Sequence, residues 1–252
     1  MLQKIIIIAS LFLLLPTASI AAPNSVFIEE LTSPEIAELI KNGYTTAIIP
    51  TGGSEQNKAH LVIGKHNYIL HYTAGEIAKE LGNALVAPVM GYVPEGKISP
   101  PEGHMNFAGT LSLRPETFAA VLEDTAASLK QHGFRLICLV GEHGGSQEPQ
   151  KQVAEKLSSQ WEEDGVKVIS VSDYYANNGQ DAWIKSQNIK AQDPAGHASF
   201  EDSSELMATY PHGVRKDLLE GDAKLATSAF GKELLELKIK AAVKQIKNAS
   251  RI

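Results

Sequence analysis

The sequence predicts an α/β fold, a three-layer α/β/α sandwich with a mainly parallel sheet. Short apolar runs such as "TTAIIPT" and "FRLICLVG" alternate with longer amphipathic segments such as "RPETFAAVLEDTAASLKQHG". Strands that are apolar on both faces and are separated by helices are typical of βαβ units, in which helices cover both faces of a parallel sheet.

Capping and breaking residues mark the ends of the predicted helices. "SPEIAELIKNG" has Ser33 as a cap, Pro34 in its first turn and Gly43 just past its end. Gly82 and Gly133 close two later helices in the same way. Helices are predicted for "SPEIAELIKNG", "YTAGEIAKELG", "RPETFAAVLEDTAASLKQHG", "SQEPQKQVAEKLSSQWEEDG" and "FGKELLELKIKAAVKQIKNAS", and strands for "TTAIIPT", "FRLICLVG" and "VKVISVSDYY", with a further apolar run at "ALVAPVMGYVP".

A signal peptide is predicted for residues 1–21. Lys4 supplies the positive charge, Ile5 to Leu15 form an apolar segment too short to span a bilayer, and small residues precede a cleavage point after Ala21. An uncleaved membrane anchor is the alternative. We therefore expect a periplasmic or secreted protein whose mature chain, residues 22–252, is a single α/β domain that does not enter the membrane.

Composition narrows the classes of partner. The formal net charge of −6 gives no electrostatic footprint for nucleic acid or for an anionic membrane surface. Cys138 is the single cysteine of the chain, so no internal disulfide can form. Its position in an apolar strand segment favours packing as a small hydrophobic side chain over reactivity. A small-molecule ligand is the expected partner.

Polar, glycine-rich segments follow three of the predicted strands. "IIP" leads into "TGGSEQN", "ICLVG" into "EHGGSQ", and "VISVS" into "DYYANN". A fourth polar segment, "DPAGHASFEDSSELM", precedes a predicted helix. Open α/β sheets bind their ligands outside the carboxyl ends of the strands, so the functional site is predicted where these segments converge.

Three residues in these segments form a candidate metal-binding set. Glu55 and His66 are eleven residues apart, and they can meet only if the chain between them folds back. His143 lies in "GEHGGSQ", whose glycines allow a sharp turn. Two imidazoles and one carboxylate suit a divalent cation with open positions for water. Hydrogen-bonded structural histidines at strand ends are the alternative interpretation.

Further residues near these segments also have two interpretations each. His104, in "PEGHMNFAGTLSL", is placed in a loop near the site. Trp183, in the polar segment "GQDAWIKSQN", is interpreted as a residue that lines a pocket. Glu142, beside His143, is a candidate acid or base, with a solvated loop charge as the alternative.

The segment "EDSSELMA" contains Asp202 and Glu205. It also has the pattern of a helix start, with Ser203 or Ser204 as the cap. In that case Asp202 and Glu205 are ordinary acidic residues near a helix N-terminus, where their charges are favourable. The sequence alone leaves both interpretations open.

Four segments in chain order, "IPTGGSEQNKAHLVIGKHN", "GHMNFAGTLSL", "LVGEHGGSQ" and "GHASFEDSSELM", resemble the conserved blocks of the creatininase (creatinine amidohydrolase) family. The resemblance spans roughly residues 30 to 215. It implies the creatininase fold, which is the α/β/α sandwich already predicted. It also implies a hydrolase for non-peptide amide bonds, a divalent metal cofactor (zinc or manganese, with iron as an option) and assembly as a homo-oligomer.

The first block differs from the family pattern at two metal ligands. Glu55 matches the glutamate ligand, and His60 matches the second histidine of the block. Asn57 stands where the family has a histidine ligand, and His66 where it has a bridging aspartate. An imidazole cannot bridge two cations through one nitrogen. The resemblance therefore implies a single cation per subunit held by Glu55, His66 and His143, with Asn57 and His60 close by as supporting or substrate-binding groups.

The third and fourth blocks supply the remaining family residues. His143 matches the metal histidine, whereas Gly145 occupies the position at which creatininase has a further glutamate. His197 matches a catalytic histidine that could pass a proton to the departing nitrogen. Asp202 matches the second glutamate of the fourth block, and Phe200 replaces the first. Asp202 is thus a candidate fourth ligand or a hydrogen-bond acceptor for a ligating imidazole.

Two functions are compatible with these residues. The first is an exported, metal-dependent amidohydrolase that hydrolyses a C–N bond of a small amide, cyclic amides included. A deformylase or another ring-opening amide hydrolase is an equal alternative to creatinine hydrolysis. The second function is a non-catalytic periplasmic protein that binds a small molecule and has kept the family fold. The altered ligands favour binding alone, whereas Glu55, His143 and His197 favour catalysis.

Overall fold

A parallel sheet forms the centre of the structure, a computed structural model that describes residues 24–189 and 197–250. Within those residues the sheet has four strands, β1 (Thr46–Thr51), β2 (Ala84–Val86), β3 (Leu136–Gly141) and β4 (Lys167–Ser170). Their order is β2-β1-β3-β4, and all pairs are parallel. Register runs from Thr46 opposite Leu136 to Thr51 opposite Gly141 between the two central strands. The predicted signal peptide lies outside the described residues.

Helices connect the strands and cover them. The α-helices are α1 (Ser33–Lys41), α2 (Lys65–Leu81), α3 (Pro115–His132), α4 (Gly144–Gln160), α5 (Ser172–Tyr175), α6 (Gln180–Ser186), α7 (Phe200–Thr209) and α8 (Ser228–Ala249). Short 3₁₀ turns occur at Ile28–Glu30, Gly103–Asn106, Pro211–Gly213, Lys216–Leu218 and Gly221–Leu225. In the described ranges, no helix is both long and apolar enough to cross a bilayer.

Side chains of the central strands alternate between two apolar layers. Ile49 and Leu139 pack on one face of the sheet with α3 and α4. Ile48 and Cys138 pack on the other face with α2 and α8. Because successive side chains of a strand point to opposite faces, a strand covered on both sides is apolar throughout. The predicted three-layer α/β/α sandwich is therefore confirmed.

Several element boundaries differ from the predictions. In the apolar run "ALVAPVMGYVP" only Ala84–Val86 forms a strand, and the chain then continues without regular structure toward Gly103. Ser199 is the residue that precedes α7. The predicted caps Ser203 and Ser204 lie inside that helix and are buried. The "QDAWIKS" portion of the polar segment that contains Trp183 forms α6.

Candidate metal centre

A cavity of about 790 Å³ opens at the carboxyl edge of the sheet. The loop after β1 carries Glu55, the segment after β2 carries Glu95 and His104, and the turn after β3 carries Glu142 and His143. All five line the cavity, as do residues from the starts of α2 and α7. The site thus lies at the sheet edge where ligands of open α/β sheets bind.

Glu55 lies at the centre of this site, and its side chain is 1% exposed. Within the described residues, four imidazoles surround its carboxylate. Nε2 of His66 donates to Oε1 at 2.7 Å, and Nε2 of His143 donates to Oε2 at 3.1 Å. His104 Nε2 lies 3.1 Å from Oε2, and His197 Nδ1 lies 3.5 Å from Oε1. The structure therefore brings the predicted residues Glu55, His66 and His143 together.

The buried carboxylate and its imidazoles shift one another's pKa. Burial would raise the pKa of Glu55, but hydrogen bonds from His143 and His66 outweigh it and hold that pKa well below its usual range. Burial, reinforced by the charge of Lys65, lowers the pKa of His66 to about 4. Burial also lowers the pKa of His104. A neutral imidazole is the form that binds a metal.

His143 is positioned by the start of α4. Its Nδ1 accepts a hydrogen bond from the backbone N–H of Gly145 at 3.1 Å, so the side chain caps the helix. That contact leaves Nε2 as the nitrogen that faces Glu55 and Glu95. Burial would lower the pKa of His143, but hydrogen bonds to these two carboxylates raise it to about 9.

Glu95 is a member of the site that the sequence analysis missed. Its side chain is fully buried, and Oε2 lies 2.9 Å from His143 Nε2. Oε1 accepts a hydrogen bond from the backbone N–H of Ser54 at 3.2 Å. Burial raises the pKa of Glu95 to about 7. We refer to Glu55, Glu95, His66, His104, His143 and His197 as the imidazole cluster.

Two histidines form the more accessible side of the imidazole cluster. The side chains of His104 and His197 are each 29% exposed, and their ring centroids are 4.7 Å apart. Nε2 of His197 donates to the backbone carbonyl of Gln56. The side-chain amide nitrogen Nε2 of Gln56 contacts Nδ1 of His104 at 3.3 Å. Gln56 therefore orients both rings toward the cavity.

Asn57 and His60 lie in the loop that presents Glu55. Asn57 Nδ2 donates to the backbone carbonyls of Glu55 and Val62, at 2.9 and 3.1 Å. His60 Nε2 donates to the carbonyl of Ala198 at 2.9 Å. Both side chains are buried, and their contacts hold the loop in place. Their predicted role as supporting or substrate-binding groups stays a prediction.

A second cluster of buried residues, two glutamates around a lysine, lies on the other side of the cavity. Lys238 of α8 contacts Glu142 Oε1 at 2.5 Å and Glu205 Oε2 at 3.2 Å. Tyr174 donates to the other oxygen of Glu142, and Gln180 donates to the other oxygen of Glu205 at 2.6 Å. We call these five residues the lysine cluster. Burial raises the pKa of Glu205 to about 8, against the attraction of Lys238.

Asp202 and Trp183 make their main contacts with residues outside the imidazole cluster. Asp202 Oδ2 accepts hydrogen bonds from Lys65 Nζ at 2.5 Å and from the backbone N–H of Ala198 at 2.8 Å. Its predicted role as a ligand or an imidazole acceptor stays a prediction. Trp183 packs edge-on against Phe230, with 5.7 Å between the ring centroids, and is not among the described residues that line this cavity.

The donors of the imidazole cluster fit a divalent cation. Two groups of three residues have ligand atoms within 4.8 Å of one another, Glu55 with His66 and His143, and Glu55 with His104 and His197. Imidazole nitrogen with carboxylate oxygen is a donor set that suits zinc and related transition metals. Nδ1 of His66 is buried without a hydrogen-bond partner among the described residues. Such an unpaired buried atom is typical of a site that holds a further group.

Comparison with known proteins points to one family. A family model described as creatininase, creatinine amidohydrolase, matches residues 29–231. The 3-dehydro-scyllo-inosose hydrolase of Thermotoga maritima is 26% identical over 123 residues, which are 48% of this chain and 37% of that protein. The mycofactocin precursor peptide peptidase of Mycolicibacterium smegmatis is 26% identical over 137 residues, 52% of this chain and 53% of that protein. The chain thus matches only about a third to a half of the length of these curated relatives.

Solved structures share the fold. A crystal structure of creatinine amidohydrolase (creatininase) has a TM-score of 0.70 and 21% identity, over 90% of this chain and 98% of that one. A creatininase described as the manganese form has a TM-score of 0.70 and 21% identity, over 89% and 98%. A creatininase mutant of the Zn–Zn type has a TM-score of 0.73 and 21% identity, over 90% and 99%. At this level of identity the likeness establishes the fold.

Proposed function

Because the chain belongs to the creatininase (creatinine amidohydrolase) family, we propose that it is a metal-dependent amidohydrolase. Its substrate is a small amide, cyclic amides included, in which it hydrolyses a C–N bond. One observation carries this proposal: Glu55 is buried among four imidazoles, and no lysine or arginine of the described residues forms an ion pair with it. In the folded chain His143, whose pKa is raised to about 9, balances that carboxylate as a protonated imidazole, and a divalent metal is the cation that could replace this proton.

Glu55, His66 and His143 would hold the cation, one per subunit, with zinc, manganese or iron as the metal. These three residues are more deeply buried than His104 and His197, so they would hold a cation at the closed end of the site. When bound, a divalent metal lowers the pKa of a bound water and polarises a carbonyl oxygen. The protein's own contribution is to fix the ligands and to exclude other water.

His197 is our candidate for the proton transfer. Its Nε2 donates to the Gln56 carbonyl, which fixes the ring and leaves Nδ1 facing the cavity near Glu55. A ring fixed in this way can accept a proton at Nδ1 and pass it to the departing nitrogen of the amide. His104, whose ring lies next to it, is placed to contact the substrate.

Glu142 was also a candidate acid or base. Both of its oxygens already accept hydrogen bonds, one from Lys238 and one from Tyr174. A carboxylate with both oxygens occupied is poorly placed to exchange protons with a substrate. In our proposal it supports the cavity wall instead, with the proton transfer assigned to His197.

We also propose that the protein is exported and assembles as a homo-oligomer. The apolar segment with Lys4 before it supports cleavage of residues 1–21 and a periplasmic or secreted location. Membership of the family supports the assembly. N-terminal sequencing of the exported protein and light scattering of the mature chain test these two points.

The test of the catalytic proposal combines metal analysis with hydrolysis assays on a panel of small amides. We expect the purified mature protein to contain about one divalent ion per chain and to hydrolyse at least one amide, with activity lost on chelation. His66→Ala should remove both metal and activity, because it removes one of the three protein ligands. His71→Ala is the matched control: it lies in the same helix but on the exposed side, so metal and activity should persist.

Two outcomes would contradict the hydrolase proposal, and a third would contradict only the proposed number of cations. A protein that binds metal and amides but hydrolyses none would be the non-catalytic binding protein considered above. A protein that hydrolyses amides with no metal present would remove the role of the imidazole cluster altogether. Two tightly bound ions per chain would refute the single-cation arrangement while leaving the hydrolase intact.

A further inference from the structure

We propose that Glu95 is a direct ligand of the cation, a fourth protein ligand from a segment without regular structure. This inference rests on the metal-dependent function proposed above. Glu95 follows β2, whereas Glu55 and His143 follow β1 and β3. Three neighbouring strands would thus each contribute one ligand to the same site.

The geometry of Glu95 places it on the metal side of His143. Its Oε2 lies 2.9 Å from His143 Nε2, and Glu55 Oε2 lies 3.1 Å from the same nitrogen. Two carboxylate oxygens thus lie beside one imidazole nitrogen. Oε2 of Glu95 is buried, and the contact with His143 Nε2 is its one polar contact to a histidine among the described residues, so a cation could take the place of the proton between them.

A supporting role for Glu95 behind the imidazole does not match this geometry. Carboxylates that orient a ligating histidine accept a hydrogen bond from the ring nitrogen that faces away from the metal. In His143 that nitrogen is Nδ1, and the backbone N–H of Gly145 occupies it. Glu95 contacts the other nitrogen, which faces Glu55.

The charges of the site also support a second carboxylate ligand. Glu55 and Glu95 are both buried, and within the described ranges each forms ion pairs with histidines alone. Burying two carboxylates without a permanent cation is costly. A divalent cation between them would balance both charges, whereas Glu55 alone would leave a net positive charge in the buried site.

The position of Glu95 is fixed by its neighbours. Ser112 Oγ accepts from the backbone N–H of Glu95 at 3.0 Å, and Ser54 N–H donates to Oε1. A Cβ at Gly53 would lie 2.6 Å from Oε1, and a Cβ at Gly145 would lie 2.5 Å from the carbonyl of Pro94. These two glycines provide the space for the Pro94–Glu95 segment. Gly145 carries no carboxylate of its own, and Glu95 supplies one from the neighbouring loop.

The simplest alternative is that Glu95 only anchors the loop after β1 through Ser54. Glu95→Gln separates the two roles, because an amide oxygen still accepts from Ser54 N–H while the ligand charge is lost. Glu102→Gln is the matched control: it makes the same change in the same segment, at an exposed residue whose partner is Lys97. Both variants are compared with the wild-type chain by their thermal unfolding curves before metal is added.

The experiment measures the affinity for Zn²⁺ by calorimetric titration and the visible spectrum of the Co²⁺-loaded protein. Loss of a residue that only supports a ligand costs about 10–100-fold in metal affinity, so loss of a direct ligand should cost about 100-fold or more. The cobalt spectrum of Glu95→Gln should also change, because the set and geometry of the donors change. Glu102→Gln should match the wild type in both measurements.

The outcomes separate this inference from the proposed function. Wild-type affinity and an unchanged cobalt spectrum in Glu95→Gln would overturn it, and so would weaker binding with an unchanged spectrum, which indicates positioning through His143. A wild-type chain that binds no metal would overturn the proposed function and this inference with it. Should Glu95→Gln fail to fold, Glu95→Asp takes its place: the withdrawn carboxylate should alter the cobalt spectrum, and an unaltered spectrum would again overturn direct ligation.

Discussion

The imidazole cluster and the lysine cluster bury their carboxylates to similar depth, but they differ in what balances the charge. Glu142 and Glu205 of the lysine cluster contact the ammonium of Lys238, which is itself buried. Glu55 and Glu95 of the imidazole cluster contact histidines, whose charge depends on a proton. In the lysine cluster the ammonium of Lys238 therefore balances the acidic residues without any ligand. The imidazole cluster, in contrast, can bind an added cation.

This difference suggests that the two clusters have different roles in one cavity. Burial alone would lower the pKa of Lys238, but the charges of Glu142 and Glu205 outweigh it and raise that pKa well above its usual range, so the lysine stays charged at neutral pH. Such a group stabilises the fold and contributes to the electrostatic potential in the cavity. Imidazoles exchange protons and bind metals near neutral pH, so we expect the reaction to take place at the imidazole cluster.

Replacing the lysine should produce the largest loss of stability. Lys238→Met leaves the Glu142 carboxylate buried without a cation, and breaking a buried ion pair in this way costs about 3–5 kcal/mol of the free energy of unfolding. Urea unfolding, with and without added metal, measures the loss. We expect the same loss in both conditions, because the lysine cluster does not use the metal.

Lys240→Met is the matched control in the same helix. Lys240 is exposed and pairs with Glu236 on the surface, so its loss should change the free energy of unfolding by less than about 0.5 kcal/mol. Equal losses for the two variants would remove the distinction between the clusters. A loss at residue 238 that appears only with metal bound would mean that the two clusters act as one.

Adding metal should stabilise the protein by a smaller amount. A cation that binds only the folded chain raises the free energy of unfolding by about 2.7 kcal/mol at a concentration 100 times its dissociation constant, and chelation should remove this increment. Glu55→Gln should abolish the increment, whereas Lys238→Met should retain it. Thermal or urea unfolding measures each case, and an increment that survives in Glu55→Gln would place the cation elsewhere.

The fold and the convergence of Glu55 and His143 could be predicted because both depend on short-range patterns. Alternating apolar strands and amphipathic helices indicate a parallel sheet, and the strand-end rule brings Glu55 and His143 to one edge. His66 was found as well, although its eleven-residue separation from Glu55 required the loop to fold back. That the loop does fold back depends on long-range contacts, such as the one between His60 and the carbonyl of Ala198.

The rest of the site lacked a local signal. Glu95 follows β2, but β2 has only three residues and a long irregular segment comes after it, so the sequence gives no strand-end pattern that indicates Glu95. Lys238 did leave a signal: it falls on the buried stripe of α8 between Leu235 and Ala242, where an apolar residue is expected. A lysine on an apolar stripe needs a buried acid, and only the three-dimensional structure identifies that acid as Glu142.

The smallest effect is expected for Asp202, a partly buried acid that was predicted on the metal side but contacts Lys65. Burial would raise the pKa of Asp202, but the charge of Lys65 outweighs it and lowers that pKa from 3.8 to about 2. The pair therefore contributes stability fully above about pH 4, and the contribution is lost as the pH falls toward 2. A shift of this size corresponds to about 2 kcal/mol. Urea unfolding from about pH 5, above the unfolded-state pKa, down to about pH 2.5, near the folded-state pKa, should show this loss of unfolding free energy in the wild type and a smaller one in Asp202→Asn. Added metal should leave the difference between wild type and Asp202→Asn unchanged. A difference that disappears on chelation would indicate that Asp202 belongs to the metal site.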